Sequence, residues 1–357
     1  MDCMSASLDF AVIGHQDGWQ PISSLINGIR TEQFEKLNSN TIRNIYSFIP
    51  PRDIFRIIAR STTGKELHGI YIETFIDPDK LDTGHQRINI DKVKDAVSFV
   101  NKLGAKIVTL GGFTSIVLEG NLYDLPKSKT VYTTGNTLTS AYIIKGIEKA
   151  AAFCGKDPNQ SNILIVGATG DIGLACVQYF KNKCKKLLLC GRNIHRLRQL
   201  ALTLEDQQIP VHYSVLLEKL VPEADIIISA VSSSGIGLTN YKKGVIIGDA
   251  GFPKNIESSV ECHQDLHLFY AGMGQMNGGY SFSPDYTPFM YRHPAPYISH
   301  GCVIEAMVLA FENRYESYSA GRGNISISNM EEIYGLSLRH GIEPAPLYNG
   351  KGLWQKT

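Results

Sequence analysis

The sequence predicts a two-domain α/β chain: an N-terminal α/β domain, a Rossmann-type doubly wound parallel sheet, and closing helices that pack back on the first domain. Three observations predict it. The chain has 357 residues, and a prior of about 150 residues per domain puts that near two domains. Its second half carries repeated short apolar runs bounded by turn residues, the pattern of strands buried on both faces. One such run, Asn162 to Val166, leads straight into a Gly-rich turn and a helix-compatible stretch.

In chain order, Phe10–Gly14, Phe55–Arg60 and Leu67–Tyr71 read as strands and Asp91–Leu103 as a helix. Lys106–Leu110 then runs as a strand into Gly111-Gly112. Val131–Thr137 reads as a turn and cap, after which Ser140, Ala141, Ile144, Ile147 and Ala151 recur at helical spacing as far as about Phe153. Further strands are expected at Asn162–Val166, Lys186–Cys190, Val211–Ser214, Ala224–Ala230, Gly244–Gly248 and Leu266–Ala271. Tyr280–Tyr297 reads as a Tyr/Pro-rich loop, and Ile298–Tyr315 and Asn329–Gly341 as the closing helices. The expected organisation is an N-terminal α/β substrate domain over 1–136, a linking helix and loop over 137–160, a dinucleotide-binding domain over 161–297 and a helical segment over 298–357.

Composition narrows the function. Hydrophobic residues make up 43% of the chain, enough for real cores, and 35 Lys+Arg against 34 Asp+Glu leave a formal charge of +1. No global field is available to hold nucleic acid by charge, so no nucleic-acid partner is expected. The apolar runs fall far short of the roughly 20 residues that cross a bilayer, and the opening Met1-Asp2-Cys3-Met4-Ser5 has no signal-peptide pattern. A cytoplasmic protein with no transmembrane segment is the expectation. The seven cysteines form no CxxC pair and no zinc-type spacing, so reduced thiols and no metal site are expected.

The turn after Val166 reads Gly167-Ala168-Thr169-Gly170-Asp171-Ile172-Gly173. Gly167 suits the tight turn, Gly170 lets backbone N–H groups approach a pyrophosphate, and Gly173 permits close helix-to-strand packing. The spacing is GxxGxxG instead of the more familiar GxGxxG, and glycines that merely close a βα turn are the competing reading. After the next strand, Gly191-Arg192-Asn193 offers no acidic partner for a ribose 2′-hydroxyl. Arg192, helped by Arg196 or Arg198, could pair with a 2′-phosphate, which favours NADPH; for Arg196 or Arg198 alone a solvated helix face is the plainer reading. Ser229, Ala230 and Val231, with Asp249 and Gly251, end later strands and are expected on the nicotinamide side. Asp249 reads more readily as a buried partner for the backbone than as a catalytic carboxylate.

A hydride donor needs an electrophilic carbon, and a thiolate that captures an acyl group supplies one as a thioester. Cys302 follows His300-Gly301 at the start of an apolar helix, where the helix dipole and orphan N–H groups are expected to lower a thiol pKa. A small buried core residue is the alternative for it. Cys3, Cys154, Cys176, Cys184, Cys190 and Cys262 have no comparable context and read as packing or surface residues.

Several ordered segments together resemble the cyanobacterial-type long-chain acyl-carrier-protein reductases, which form fatty aldehydes. They are Ile13-Gly14-His15, His68 to Glu73, Leu110 to Ile116, Thr133 to Thr137, Val166 to Gly173, Gly251 to Asn255, Cys302 to Met307 and Arg339-His340-Gly341. The resemblance implies NADPH-dependent reduction of an acyl thioester, borne by acyl carrier protein or coenzyme A, with Cys302 as the nucleophile. An aldehyde-consuming partner enzyme is a further candidate. Gly112, Phe113, Thr114 and Ser115, with Thr134, Asn136 and Thr137, are candidates for substrate positioning, against turn formation and helix capping as the plainer role. Between Gly272 and His300 the chain departs from the family pattern, with Pro284, Tyr286, Pro288, Tyr291, Pro294, Pro296 and Tyr297, which bears on the acyl group accepted. Two other functions fit the domain plan: a shikimate-dehydrogenase-like carbonyl oxidoreductase without covalent capture, and a non-catalytic NADPH-binding regulator.

Overall fold

The computed structural model describes residues 8–355 except 17–18, 31–34, 47, 77–82, 119–124, 127, 206–208, 233–234, 252–253, 257, 262, 264, 288–292 and 322. Cys3, Phe252, Pro253, Cys262, Pro288 and Tyr291 thus lie outside the described residues. The chain forms two compact units. One comprises 1–135, 276–321 and 336–343; the other comprises 136–275, 322–335 and 344–357.

The first unit opens with β1 (Phe10–Gly14), α1 (Trp19–Ile29), α2 (Ser39–Tyr46), β2 (Arg52–Arg60) and β3 (Glu66–Glu73). It continues with α3 (Thr83–Leu103), β4 (Ile107–Leu110), α4 (Phe113–Val117) and β5 (Val131–Thr133). The second unit then supplies α5 (Asn136–Phe153), β6 (Asn162–Val166), α6 (Asp171–Phe180), β7 (Lys186–Cys190), α7 (Ile194–Leu202) and β8 (Val211–Ser214). It goes on through β9 (Ile226–Ser229), β10 (Val245–Asp249), α8 (Ser258–Glu261), β11 (Leu266–Tyr270) and β12 (Met273–Met276). After these come β13 (Tyr280–Ser283), β14 (Ile298–His300), α9 (Gly301–Phe311) and α10 (Ile327–Arg339).

In the first unit six strands run in the order β13-β2-β3-β1-β4-β5. The β3-β1-β4-β5 part is parallel, and β2 and β13 add an antiparallel edge. Because strand side chains alternate, Ala11, Ile13, Ile70, Ile72, Val108 and Leu110 share one face and bury it against Val93, Ala96, Val97 and Val100 of α3. The opposite face carries Phe10, Val12, Gly69, Tyr71 and Thr109, and α9 lies over it on β4, β1 and β3. From Ile304 to Phe311 every residue of α9 is buried, as expected of a helix that is apolar all round.

The second unit is a six-stranded, wholly parallel sheet in the order β11-β10-β9-β6-β7-β8. Counted from β6, that is the doubly wound order 3-2-1-4-5-6, whose strand order reverses between β6 and β9. Ile163–Val166, Leu187–Cys190 and Val245–Asp249 are buried throughout, which explains their unbroken apolar runs.

Several expectations change. Tyr280–Ser283 is not loop but an edge strand; its Tyr-Ser-Phe-Ser alternation pairs with β2, a signal hidden by the prolines that follow. Val131–Thr133 is a strand, too short for its period to register. Helix α2 went unread because Asn38-Ser39-Asn40-Thr41 has loop composition; α1, also unread, shares with it a small satellite core of Ile22, Ile42, Tyr46 and Phe75. The boundaries shift as well. The helix expected as a linker belongs to the second unit, and 276–297, expected there, belongs to the first. Of the closing helices, α9 lies in the first unit but most of α10 lies in the second.

Candidate active site

The second unit's turn after β6 is shaped by backbone crowding. A Cβ at Gly173 would stand 2.1 Å from the Gly167 carbonyl oxygen, and one at Gly167 would stand 2.4 Å from the Ala230 oxygen, so neither position admits a side chain. Gly167 and Ala168 donate to the Cys190 carbonyl at 2.9 and 3.0 Å, which anchors the turn to the end of β7. The first-turn amides of α6, at Asp171, Ile172 and Gly173, are the donors a helix start offers to phosphate. These residues fit a pyrophosphate. Arg192, just beyond β7, and Arg196, in α7, are exposed and enter no ion pair among the described residues.

Other residues expected at the coenzyme have structural partners. Asn193 caps α7, its side chain accepting from the Arg196 amide at 3.1 Å. Asp171 accepts from Asn136 Nδ2 and from the Gly323 amide, both at 2.9 Å, so Asn136 serves this turn. Asp249 is fully buried and accepts from the amides of Gly251, Asn255 and Ile256, the structural role favoured for it. Asn255, absent from the expected site, ties these strand ends together. Its Oδ1 accepts from the Ser229 hydroxyl and the Val231 amide, and its Nδ2 donates to the Val231 carbonyl. A Cβ at Gly251 would strike the Asn255 side chain at 2.2 Å, so the Gly251-to-Asn255 spacing was the available signal.

In the first unit, Cys302 stands in the opening turn of α9, against the ends of β4 and β5. Backbone crowding again explains its neighbours. A Cβ on Gly135, which has φ +72°, would lie 2.3 Å from Cys302 Cα, whereas one on Gly111 would make only an ordinary contact with the sulfur at 3.7 Å. The amides of Gly112 and Val303 point at the sulfur and favour thiolate. They do not prevail: enclosure by protein and the Glu305 carboxylate push the thiol up to about 11, which corrects the expectation of a lowered pKa.

Beneath Cys302, one turn along α9, Glu305 is fully buried. Its Oε1 accepts from Thr133 Oγ1 at 2.5 Å and Ser319 Oγ at 3.3 Å. Thr134 donates its hydroxyl to Ser319 Oγ at 2.7 Å and its amide to the Ser319 carbonyl at 3.1 Å. Thr134, a candidate for substrate positioning, is bonded to Ser319 and so helps to seat the helix, and Thr137 is fully buried in α5. Of the remaining candidates, Thr114 donates to the Gly111 carbonyl and Ser115 to the Gly112 carbonyl, as turn-formers do. Phe113 is buried, with His15 5.1 Å away ring to ring, and its amide donates to His15 Nε2 at 2.8 Å. Burial pushes the thiols of Cys176, Cys184 and Cys190 up, to about 12, 11 and 11, and they pack in the second unit.

Comparison with known proteins decides the family. Residues 149–271 match the model of the Shikimate / quinate 5-dehydrogenase family, about a third of the chain. Over 321 residues the chain is 34% identical to the long-chain acyl-[acyl-carrier-protein] reductase of Synechococcus elongatus, covering 85% of this chain and 90% of that protein. The chain belongs to that reductase family. It is therefore an oxidoreductase, and NADPH is its cofactor. It is also 30% identical over 258 residues to aminotransferase PigE of a Serratia species, covering 68% of this chain but 28% of that protein. With glutamyl-tRNA reductase of Xanthomonas oryzae the identity is 26% over 121 residues, covering 31% of this chain and 27% of that protein. Among the described residues no helix is long and apolar enough to cross a membrane.

Proposed function

We propose that this enzyme reduces an acyl thioester, borne by acyl carrier protein or coenzyme A, to an aldehyde through an acyl-enzyme on Cys302. The observation that carries the reading is the seat of that sulfur: a helix start, backbone amides of Gly112, Cys302 and Val303 that favour the thiolate, and glycine at 135, where a Cβ would strike the Cys302 backbone. The names of two relatives agree, since an acyl-carrier-protein reductase and a glutamyl-tRNA reductase each act on an activated acyl group.

The sulfur of Cys302 attacks the acyl carbon; a new carbon–sulfur bond forms as the bond to the carrier sulfur breaks, and the thiol proton leaves with the carrier thiol. The Gly112 and Val303 amides favour the sulfur as thiolate and so stabilise the attacking group. When bound, NADPH supplies the hydride that takes the acyl group to the aldehyde level. Release of the aldehyde returns sulfur to Cys302 as thiolate, and a solvent proton restores the thiol. In this reading the second unit's glycine turn holds the pyrophosphate and Arg192 the 2′-phosphate. The cytoplasm is the proposed location, with hand-off of the aldehyde to a consuming enzyme.

Intact-mass measurement after mixing with acyl thioester and no NADPH tests the reading. The native enzyme should gain one acyl group. Cys302→Ala and Cys302→Ser should gain none, keep NADPH binding, and lose aldehyde formation by on the order of a hundredfold or more. Undiminished turnover without an adduct would instead support the carbonyl oxidoreductase chemistry to which the match over 149–271 points.

A further inference from the structure

The His68-to-Glu73 segment ends on a buried carboxyl that the proposed chemistry leaves idle. Glu73, at the C-terminal end of β3, is 1% exposed and surrounded by donors. Its Oε1 accepts from the Phe75 amide at 3.0 Å and the Tyr46 hydroxyl at 3.4 Å. Its Oε2 accepts from the Tyr71 hydroxyl at 3.1 Å and from Gln16 Nε2 at 3.2 Å. From Gln16 the bonds continue toward the nucleophile. The main-chain carbonyl of Gln16 accepts from His15 Nδ1 at 2.7 Å, which fixes the tautomer and leaves Nε2 to accept from the Phe113 amide at 2.8 Å. One residue earlier is Gly112, whose amide points at the Cys302 sulfur. Gly112 has φ 57° and ψ −129°, which glycine adopts freely, so the bond from Phe113 to His15 fixes one of several conformations open to this backbone.

We propose that Glu73, acting through Gln16 and His15, is a positioning residue that holds the Gly112 amide at the Cys302 sulfur, and that its protonation loosens this brace. The proposal rests on the reading of Cys302 as the nucleophile. Gln16 is the pivot. Its Oε1 is buried and meets no donor among the described residues, so the side chain is held through Nε2 on the Glu73 carboxylate, and protonation of Glu73 weakens this anchor of the segment whose main-chain carbonyl holds His15. The bonds described above, with four donors on the carboxyl, belong to the ionised form. Burial raises the Glu73 carboxyl to about 7, so both forms are populated near neutral pH. The groups facing this cluster are Tyr46 of α2, Tyr71 of β3, His15 beyond β1, and Lys92 of α3, whose ammonium donates to the Tyr46 and Phe75 carbonyls. Arg52, the register partner of Glu73 on β2, is exposed.

The test is alkylation of Cys302 by iodoacetamide between pH 5.5 and 9, followed by mass, with NADPH binding measured in parallel as a check of folding. Iodoacetamide needs no acyl chemistry, so failure of the acyl-enzyme reading and failure of the brace are distinguishable. Beyond the rise due to thiol ionisation, native enzyme should show an inflection near pH 7, with slower labelling below it. Glu73→Gln should lose that inflection and label roughly 3- to 30-fold more slowly at pH 8. Loss of a nearby negative charge alone would make labelling faster, so a faster or unchanged Glu73→Gln overturns the proposal. His15→Gln, whose Oε1 can take the place of Nε2, should label like native enzyme, and His15→Leu, with no acceptor, should be slow. Equal rates in the two His15 variants overturn it as well.

Discussion

At Cys302 the argument turns on which influence on a thiol is larger. Helix-start amides favour the thiolate, but enclosure and the Glu305 carboxylate oppose it and win. Alkylation should therefore climb steadily through pH 8 to 10, with no plateau before the pKa near 11. Glu305→Gln removes the opposing charge and should raise the labelling rate at pH 8 by roughly three- to tenfold; a rate at or below native would show that Glu305 matters only as the seat for Thr133 and Ser319. Gly135→Ala tests the backbone approach itself. With a Cβ 2.3 Å from Cys302 Cα and a φ of +72°, the variant should lose adduct formation by about tenfold or more while NADPH binding stays native.

At the scale of elements, β6, the glycine turn and α6 work as one device, and β7 ends beside it. Arg192→Ala should weaken NADPH binding by about 1 to 3 kcal/mol and leave NADH nearly unaffected, read by nucleotide fluorescence; equal losses for both would remove Arg192 from the 2′-phosphate site. This device was legible in the sequence because a parallel strand buried on both faces leaves an unbroken apolar run, and because crowding at Gly167 and Gly173 admits only glycine. Elements that answer to tertiary contacts alone were not legible. β13 earns its place by pairing with β2 across more than two hundred residues, and α2 by packing Ile42 and Tyr46 into a satellite core. The same holds within the site. Cys302 stood out through its helix start, whereas the Glu305 seat and the Asn255 latch depend on partners far away in sequence, such as Thr133 and Ser229.

Across the whole molecule, His15 and Glu73 set a pH dependence that neither shows alone. Burial lowers the His15 imidazole from 6.5 to about 4, so its contribution to stability is present above the unfolded pKa and is lost as pH falls from about 6.5 to 4. Glu73 runs the other way: burial raises it from 4.5 to about 7, so its contribution is present below 4.5 and is lost as pH rises from there to about 7. Between pH 4.5 and 6.5 the folded chain keeps one proton on Glu73 while the unfolded chain keeps one on His15, and the two slopes cancel. Urea unfolding of the native enzyme should therefore give nearly constant stability across that window as far as this pair is concerned. Glu73→Gln leaves the His15 slope unopposed, so its stability should rise by about 3 kcal/mol from pH 4.5 to 6.5, whereas His15→Gln should lose a similar amount over the same range. Parallel curves for the native enzyme and both variants would mean that the two groups do not exchange a proton on folding.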